Sequence, residues 1–350
     1  MQTIPLPHKV LDYACPINGL EDQYEWKTGV QLPGYFLMDV SNIGFHYLRH
    51  RLAPTPRMVM WGTGMGKGQH EFLSEIIGYT WTCHEGGSFE AAWKGVLAQL
   101  ALGKPVIIGL LDMYHLPHFS KFYHRYHIPQ HFLQVVGFDE ANNAALVQDN
   151  SLKEIQSVPL KDLRGAWNVT VPGQGKPYTY YHLEFNPTIA QLEEILVKSL
   201  KKRAYIHLHP EKSSMGISGL RKAAKDVPVW RTELTPEQLK ASLMFLATFS
   251  CSVVPNPPQS LLPYPLDFTD SHQAVRDRFA GELLQFAEQF NQPQWAKAAS
   301  IFQSSGECVG QLTDLAVQAI KGNPSVLDQA GSLFARIADL EEQACQTLLD

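Results

Sequence analysis

Three residues that lie far apart in the sequence carry the side chains of a thiol enzyme. Cys15 lies in the segment 14–20, ACPINGL, and His131 and Asp149 lie in the segment 131–150, HFLQVVGFDEANNAALVQDN. A thiolate is a nucleophile, an imidazole can take and return its proton, and a carboxylate can hold the imidazole in one tautomer. These residue types predict a Cys-His-Asp triad in which Cys15 attacks, His131 transfers protons and Asp149 orients His131.

The segment that carries His131 and Asp149 has the pattern of a β-hairpin. Apolar runs at 131–138 and 144–149 flank residues 139–143, DEANN, whose Asp and Asn residues favour turns. With the turn centred near Glu140, His131 and Asp149 are opposed on neighbouring strands. Directly opposed Cβ atoms are about 4.5–5.5 Å apart, which is close enough for the carboxylate to hold the imidazole.

Cys15 is predicted to lie at the start of a helix. Pro16 suits the first helical position, because proline has the required φ and its missing N–H is not needed there. The partial positive charge at a helix start favours a thiolate. A lone cysteine near an N-terminus is more often inert, so the assignment depends on His131 and Asp149.

The two halves of the chain have different periodicity. Residues 88–102 have apolar side chains at helical spacing, and residues 105–111 form an apolar, β-branched run that predicts a buried strand. After about residue 185 helical patterns dominate, and residues 235–238 have the spacing of a capping box. The sequence predicts an α+β fold with a catalytic domain at about 1–180 and an α-helical domain at about 185–350.

Further elements of the helical half are predicted from apolar spacing and proline content. We expect helices at about 275–290, 307–321 and 325–349, and an extended connector at the proline-rich residues 252–268. We also expect the helical domain to cover or shape the substrate cleft.

Composition narrows the class of protein. The chain has 350 residues, 45% of them hydrophobic, and a net charge of −5, whereas nucleic-acid-binding domains usually have a basic face. The longest apolar run, at 106–111, is much shorter than the roughly 20 residues of a membrane span. The chain has five cysteines without CxxC spacing, and its N-terminus lacks a signal-peptide pattern, so we expect a cytoplasmic protein. From its charge and its short apolar runs we expect it to bind neither nucleic acid nor a membrane.

Two other patterns resemble ligand-binding sites, one for a nucleotide phosphate and one for a metal ion, but we expect neither ligand. Residues 62–68, GTGMGKG, lack the first Gly and the final Ser or Thr of a phosphate-binding loop. Five histidines lie within 115–131, but two prolines break any helix that would align them, and we expect no metal and no cofactor. We expect this cluster to line the substrate cleft, with Tyr114 or His127 near the acyl group.

The segments 103–117, GKPVIIGLLDMYHLP, and 131–139, HFLQVVGFD, with Asp149, resemble the amino-terminal domain of butirosin biosynthesis protein H. The segment 216–226, GISGLRKAAKD, with Trp230, resembles the helical domain of unknown function that usually follows it. The resemblance implies a papain-like fold for the first domain. It also implies transfer of an acyl or aminoacyl group from a thioester of an acyl carrier protein or coenzyme A to a small-molecule amine in secondary metabolite biosynthesis.

The resemblance also bears on the oxyanion site. Papain-type enzymes place a Gln six residues before the nucleophile, and this chain has Lys9 there. We therefore expect the backbone N–H of Cys15 to bind the oxyanion, with Asn18 as a side-chain candidate for substrate binding. Two alternatives stay open: a cysteine hydrolase that uses the same triad, and a degenerate papain-like binding module. Ala14 motivates the second, because that family usually has His at this position.

Overall fold

A computed structural model describes the chain except for residues 1–2, 12–13, 61, 64–65, 172–173, 187–189 and 249–274. The chain forms two compact units, the first of Met1–Met38 and Gly64–Ile195 and the second of Asp39–Thr63 and Leu196–Asp350. The segment 39–63 therefore belongs to the second unit, although it precedes most of the first in sequence.

In chain order the described helices and strands are α1 (Cys15–Thr28), α2 (Gly34–Asn42), β1 (His46–His50), β2 (Ala53–Val59), α3 (Lys67–Ile77), β3 (Tyr79–His84), α4 (Phe89–Ala101), β4 (Val106–Leu111), β5 (His131–Asp139), β6 (Ala144–Asp149), β7 (Leu152–Pro159), α5 (Leu160–Trp167), β8 (Tyr180–Phe185), α6 (Leu192–Leu208), α7 (Gly216–Asp226), α8 (Trp230–Glu233), α9 (Pro236–Thr248), α10 (Arg276–Gln289), α11 (Pro293–Ile320) and α12 (Leu327–Leu349). Short 3-10 turns occur at Met113–His115, Val227–Val229 and Pro324–Val326.

The first unit is built on a six-stranded antiparallel sheet with the strand order β3-β8-β4-β5-β6-β7. Every residue of β4 is buried, as expected for an apolar strand at the centre of a sheet. Because side chains alternate along a strand, Ile108 and Leu133 pack into a core with α4 and α5, whereas Ile107 and Gln134 lie against α1. Helix α1 therefore rests on the middle of the sheet.

The predicted elements of the amino-terminal half are present. Helix α4 and strand β4 occupy the predicted positions, and β5 and β6 form the predicted hairpin. Ser88 caps α4 by accepting a hydrogen bond from the Ala91 N–H. The α+β class is thus confirmed.

The second unit combines the hairpin of β1 and β2 with helices from the carboxyl half. Helices α7 and α9 pack against this hairpin, and α7, α11 and α12 share one apolar core. The predicted capping box is present: the Gln238 N–H donates to the Thr235 hydroxyl, and the Thr235 N–H donates to the Gln238 side chain. The helix predicted at 307–321 is the second half of the longer α11, and the predicted connector 252–268 lies outside the described residues.

A fully buried ionic cluster joins distant parts of the second unit. The Arg276 guanidinium binds the Glu341 carboxylate, with Nε 2.9 Å from Oε1, and donates to the backbone carbonyls of Gly44 and Met60. His207 and Ser305 also bind Glu341, at 2.8 Å and 2.7 Å. Charges this deeply buried require such partners, and the cluster fixes segment 39–63 among the helices.

None of the described helices combines the length and the apolar character that a membrane span requires.

Gly19 sets the distance between α1 and the sheet. A Cβ at this position would lie 2.5 Å from Gln134 Oε1 and 2.8 Å from Ile107 Cγ1, so Gly19→Ala should push α1 away from β4 and β5. We expect thiol-dependent activity to fall on the order of 100-fold, because Cys15 moves with the helix, and unfolding free energy to fall by about 1–3 kcal/mol.

Gly281→Ala in α10 is the matched control, because no described atom outside its own stretch of helix lies within 4 Å of its added Cβ. It should leave activity unchanged and raise stability by about 0.5–1 kcal/mol through helix propensity. Urea unfolding and the initial rate with a thioester measure the two effects. Unchanged activity of Gly19→Ala would show that the α1 position does not control the site.

Candidate active site

Cys15 is the first residue of α1, and Pro16 lies in the first helical turn, close to the predicted arrangement. The thiol is half-buried, 4.0 Å from the backbone carbonyl oxygen of Gln130. N–H groups in the first turn of a helix have no intrahelical acceptor, so the Cys15 N–H faces away from the helix bonds. Cys15 thus combines a nucleophile with an N–H donor that has no acceptor within the helix.

His131 lies at the first residue of β5, beside Cys15. Its side chain is buried, and its Nε2 is 2.7 Å from Asp149 Oδ2. The Cys15 thiol is near enough to form a hydrogen bond with this imidazole. Because Asp149 takes Nε2, Nδ1 is the nitrogen left to face the thiol. The structure therefore brings together the three predicted catalytic side chains.

The predicted register of the hairpin was wrong by two residues. The pairing runs from Asp139 with Ala144 to Gln134 with Gln148, so the strands are joined by a four-residue loop, 140–143, with a bulge near Val136. Continued by one step, this register places Asp149 opposite residue 133, and His131 pairs with Leu111 of β4 instead. The two side chains still meet, because diagonal neighbours are within reach of long side chains.

The Asp149 carboxylate is fully buried and has four hydrogen bonds. Oδ2 accepts from His131 and also from His118 Nε2, at 3.0 Å, and Oδ1 accepts from the N–H and the hydroxyl of Ser151, at 3.0 Å and 2.7 Å. Sequence analysis placed His118 in the histidine cluster but missed this contact. No local pattern signals it, because His118 lies in the long connection between β4 and β5.

The charges of the site are set by burial and by these partners. Burial alone would lower the pKa of His131, but the charge and hydrogen bond of Asp149 and the nearby Cys15 outweigh it and raise the pKa above the ordinary 6.5. Burial alone would raise the pKa of Asp149, yet His131, His118 and Ser151 hold it well below its usual range. The pair therefore favours an imidazolium beside a carboxylate.

An amino-terminal arm, residues 3–11, holds the strand end that carries Asp149. His8 Nε2 donates to the backbone carbonyls of Asp149 and Leu152, at 3.0 Å and 2.9 Å, while its Nδ1 lies 2.6 Å from Asp22 Oδ2. Burial would lower the pKa of His8, but Asp22 and the two carbonyls raise it. Sequence analysis missed this contact, which links the arm, α1 and β6.

The predicted substrate-binding residues lie in two places. Tyr114 and His127 stack on each other, with ring centres 4.1 Å apart, and Asp112 Oδ2 binds His127 Nδ1 at 2.6 Å. The Asn18 amide donates to the backbone carbonyl of Lys9 at 2.7 Å, so it holds the segment that leads to Cys15. A role of these residues in substrate binding stays a prediction.

Three of the five clustered histidines bind carboxylates, since His118 and His131 bind Asp149 and His127 binds Asp112. Within the described residues, no group of three or more His, Cys, Asp or Glu side chains could hold a metal ion.

Comparison with known families assigns most of the chain. Residues 15–150 match the amino-terminal domain of butirosin biosynthesis protein H, and residues 161–250 match a domain of unknown function (DUF4872). The first match begins at Cys15 and contains His131 and Asp149. No curated protein matches the chain.

Alkylation should single out Cys15. Burial raises the pKa of the other described thiols, Cys83, Cys308 and Cys345, and the last two are also inaccessible. We expect iodoacetamide at pH 7 to modify Cys15 at least about 10-fold faster than Cys83, the half-buried control, as peptide mapping would measure. Equal rates at the two residues would contradict an activated thiol at Cys15.

The charge on His131 should appear in the pH dependence of alkylation. An imidazolium beside Cys15 attracts anionic iodoacetate, so its rate relative to neutral iodoacetamide should stay high through neutral pH and fall only when His131 loses its proton in alkaline solution. In Asp149→Asn the fall should occur at lower pH by about one unit or more, because the raising charge is gone. The same midpoint in both proteins would show that Asp149 does not control His131.

Proposed function

We propose that this chain, which belongs to the butirosin biosynthesis protein H-like family, is a biosynthetic enzyme, a cysteine-dependent acyltransferase. One observation carries the proposal: three side chains meet at one point. Cys15 lies at a helix start, His131 lies beside its thiol, and the buried Asp149 binds the other nitrogen of the imidazole. This arrangement suits covalent acyl transfer, in which a thiol takes an acyl group and passes it on.

The first half of the reaction would load Cys15. Its Sγ attacks the carbonyl carbon of a thioester, the new C–S bond forms, and the bond to the donor sulfur breaks. The His131 imidazolium gives its proton to the departing thiolate, which leaves as a thiol. The N–H of Cys15 is the proposed donor to the oxyanion, because a first-turn N–H has no helical acceptor.

The second half would pass the acyl group to an amine. The amine nitrogen attacks the acyl carbon, His131 takes a proton from that nitrogen, and the bond from carbon to Cys15 Sγ breaks. This restores the thiolate and the imidazolium for the next cycle. Asp149 holds the ring orientation throughout and stabilises its positive charge.

The remaining parts of the proposal follow from this chemistry. The donor is a thioester carried by an acyl carrier protein or coenzyme A, and the acceptor is a small-molecule amine. We take the first unit to be a papain-like domain, supported by its antiparallel sheet and by a cysteine at the start of a helix that packs on it. Tyr114 and His127, stacked near Asp112, are the proposed contacts with the acyl group.

Acyl capture tests the assignment directly. On incubation with an N-acetylcysteamine thioester, the wild-type protein should gain the mass of one acyl group, located at Cys15 by peptide mapping. Cys15→Ala should gain none, and His131→Ala should load at least about 1,000-fold more slowly, because the members of a triad act as one unit. Cys83→Ala, which removes the other half-buried described thiol, should load normally.

The outcomes separate the candidate functions. Acyl-Cys15 that an added amine consumes supports the transferase, and acyl-Cys15 that water consumes equally fast with and without amine supports a hydrolase. Loading of Cys15→Ala at the wild-type rate would contradict the triad. A wild-type protein that captures no acyl group would favour a binding module.

A further inference from the structure

His8 is held between the helix that carries Cys15 and the turn that follows Asp149. Its side chain is 5% exposed, and its Nδ1 lies 2.6 Å from Oδ2 of Asp22 in α1, whose side chain is 1% exposed. Its Nε2 donates to the backbone carbonyls of Asp149 and Leu152. These two residues pair across the turn between β6 and β7, so one imidazole connects α1 with this turn.

The arm binds α1 on the side that carries Cys15. Asn18 and Asp22 follow Cys15 at positions i+3 and i+7, which lie on one side of a helix. The Asn18 amide donates to the carbonyl of Lys9 at 2.7 Å, and Asp22 Oδ1 accepts from the Lys9 N–H at 3.2 Å. The arm therefore contacts α1 on the same side as the nucleophile.

The arm is also bound to the turn between β6 and β7. The Leu11 N–H donates to the carbonyl of Asn150, and the Asn150 amide donates to the carbonyl of Leu11, both at 2.8 Å. The same turn carries Ser151, whose N–H and hydroxyl bind the Asp149 carboxylate. The arm thus connects the nucleophile helix with the turn that orients the triad carboxylate.

The contacts of His8 need a proton on each ring nitrogen. Nε2 faces only carbonyl oxygens, which accept hydrogen bonds but cannot donate them, so Nε2 carries a proton. The 2.6 Å contact between Nδ1 and Asp22 Oδ2 also contains a proton, because a bare nitrogen lone pair and a carboxylate repel each other. Asp22 Oδ1 accepts from the Lys9 N–H as well, which favours an imidazolium beside a carboxylate.

The surroundings of His8 favour this charged form at neutral pH. Burial lowers the pKa of His8, but the hydrogen bond and charge of Asp22 and the two carbonyls outweigh it and raise the pKa above 6.5. The other charged side chains near the pair are Glu21 and Glu25 on α1 and Lys9 on the arm. Because the pKa is raised in the folded protein, the contact is present at neutral pH and is lost as the pH rises through that pKa.

We propose that doubly protonated His8 is a positioning residue that holds the Cys15 helix and the turn after Asp149 at the separation the triad needs. This inference rests on the triad of the proposed function. His8 contacts neither the thiol nor His131 and acts through Asp22 and the two carbonyls. When the proton between His8 and Asp22 is lost, α1 is released from the turn, and Cys15 is no longer held beside His131.

The protonation of His8 is tested first, on the full-length protein. In protein with 15N-labelled histidines, His8 is identified by the NMR signals that His8→Gln lacks. Its ring nitrogens should titrate with a midpoint above the ordinary 6.5, and Asp22→Asn should lower this midpoint because the negative charge is gone. A wild-type midpoint at or below 6.5 would overturn the inference.

The effect on the site is measured in two ways. At pH 7, His8→Gln should slow both the alkylation of Cys15 by iodoacetamide and its loading by an N-acetylcysteamine thioester, by about 10- to 100-fold, because a small misplacement has a large effect on rate. In the wild type the loading rate should fall as the pH rises through the His8 midpoint measured by NMR. In Asp22→Asn this fall should move to lower pH with the midpoint, which a purely structural role of His8 does not predict.

Glu25→Gln is the matched control for Asp22→Asn. It makes the same change from acid to amide on α1, but the Glu25 carboxylate accepts from the Gln31 side chain and does not bind His8. It should leave the alkylation and loading rates within about threefold of the wild type, since exposed contacts contribute little. His8→Asn replaces His8→Gln if the Gln protein does not fold.

The results distinguish this inference from the proposed function. If His8 titrates as expected and His8→Gln slows alkylation of Cys15, but no acyl-Cys15 forms in the wild type, the acyltransferase proposal fails and the positioning role stands. If alkylation of Cys15 in His8→Gln is as fast as in the wild type, His8 does not position the site and the inference is overturned. The same holds if Glu25→Gln slows the site as much as Asp22→Asn.

Discussion

Asp149 is a fully buried negative charge, and hydrogen bonds to both of its carboxylate oxygens keep it ionised. Four hydrogen bonds do this, and they come from strand β5, from the connection after β4, and from the turn after β6. The amino-terminal arm holds the backbone of the same residue through His8. A misplaced element would leave a buried charge unpaired, so the fold of the first unit and the site geometry are coupled.

Two of the buried carboxylates, Asp149 and Glu341, have partners of different kinds. Glu341 is bound mainly by Arg276, and burial would raise its pKa, but Arg276 and His207 hold it well below the usual range. An arginine stays protonated in proteins, so this pair can stabilise structure but cannot move protons. Asp149 is bound by two imidazoles, and an imidazole, unlike a guanidinium, can give up its proton during a reaction. A buried carboxylate with several hydrogen-bond partners thus stabilises structure in the second unit, at Glu341, and suits proton transfer in the first, at Asp149.

Local sequence patterns predicted the elements, and residue chemistry predicted that Cys15, His131 and Asp149 meet, but the other long-range contacts of the site were missed. The helix start at Cys15, the hairpin and the capping box at Thr235 depend on residues within a few positions, and all three are present. The hairpin register was wrong because the loop has four residues and β5 has a bulge, which DEANN alone does not determine. His118 and His8 escaped detection because their partners lie 31 and more than 100 residues away.

The placement of segment 39–63 also depends on long-range contacts that local sequence patterns do not reveal. It precedes the predicted domain boundary near 180, yet Arg203 and Arg276, far along the chain, donate to its backbone carbonyls at Val40, Ser41, Gly44 and Met60. Backbone carbonyls carry no signature in sequence, so nothing local indicates that these arginines are buried. Only the whole fold shows that buried guanidinium groups hold this segment in the second unit.

In the first unit, the three predicted catalytic residues lie on regular elements, whereas the predicted substrate contacts Tyr114 and His127 lie in a connection between strands. Cys15, His131 and Asp149 lie at the ends of a helix and two strands, where packing limits movement. Tyr114 and His127 lie in the connection between β4 and β5, which Asp112 closes by accepting hydrogen bonds from the N–H groups of Tyr114 and Ile128. Substitutions within 113–127 would therefore alter the proposed substrate contacts, Tyr114 and His127, while Asp112 keeps the ends of the connection in place. His118 is the exception, because it lies in this connection yet binds the triad, so its position must be kept while its neighbours vary.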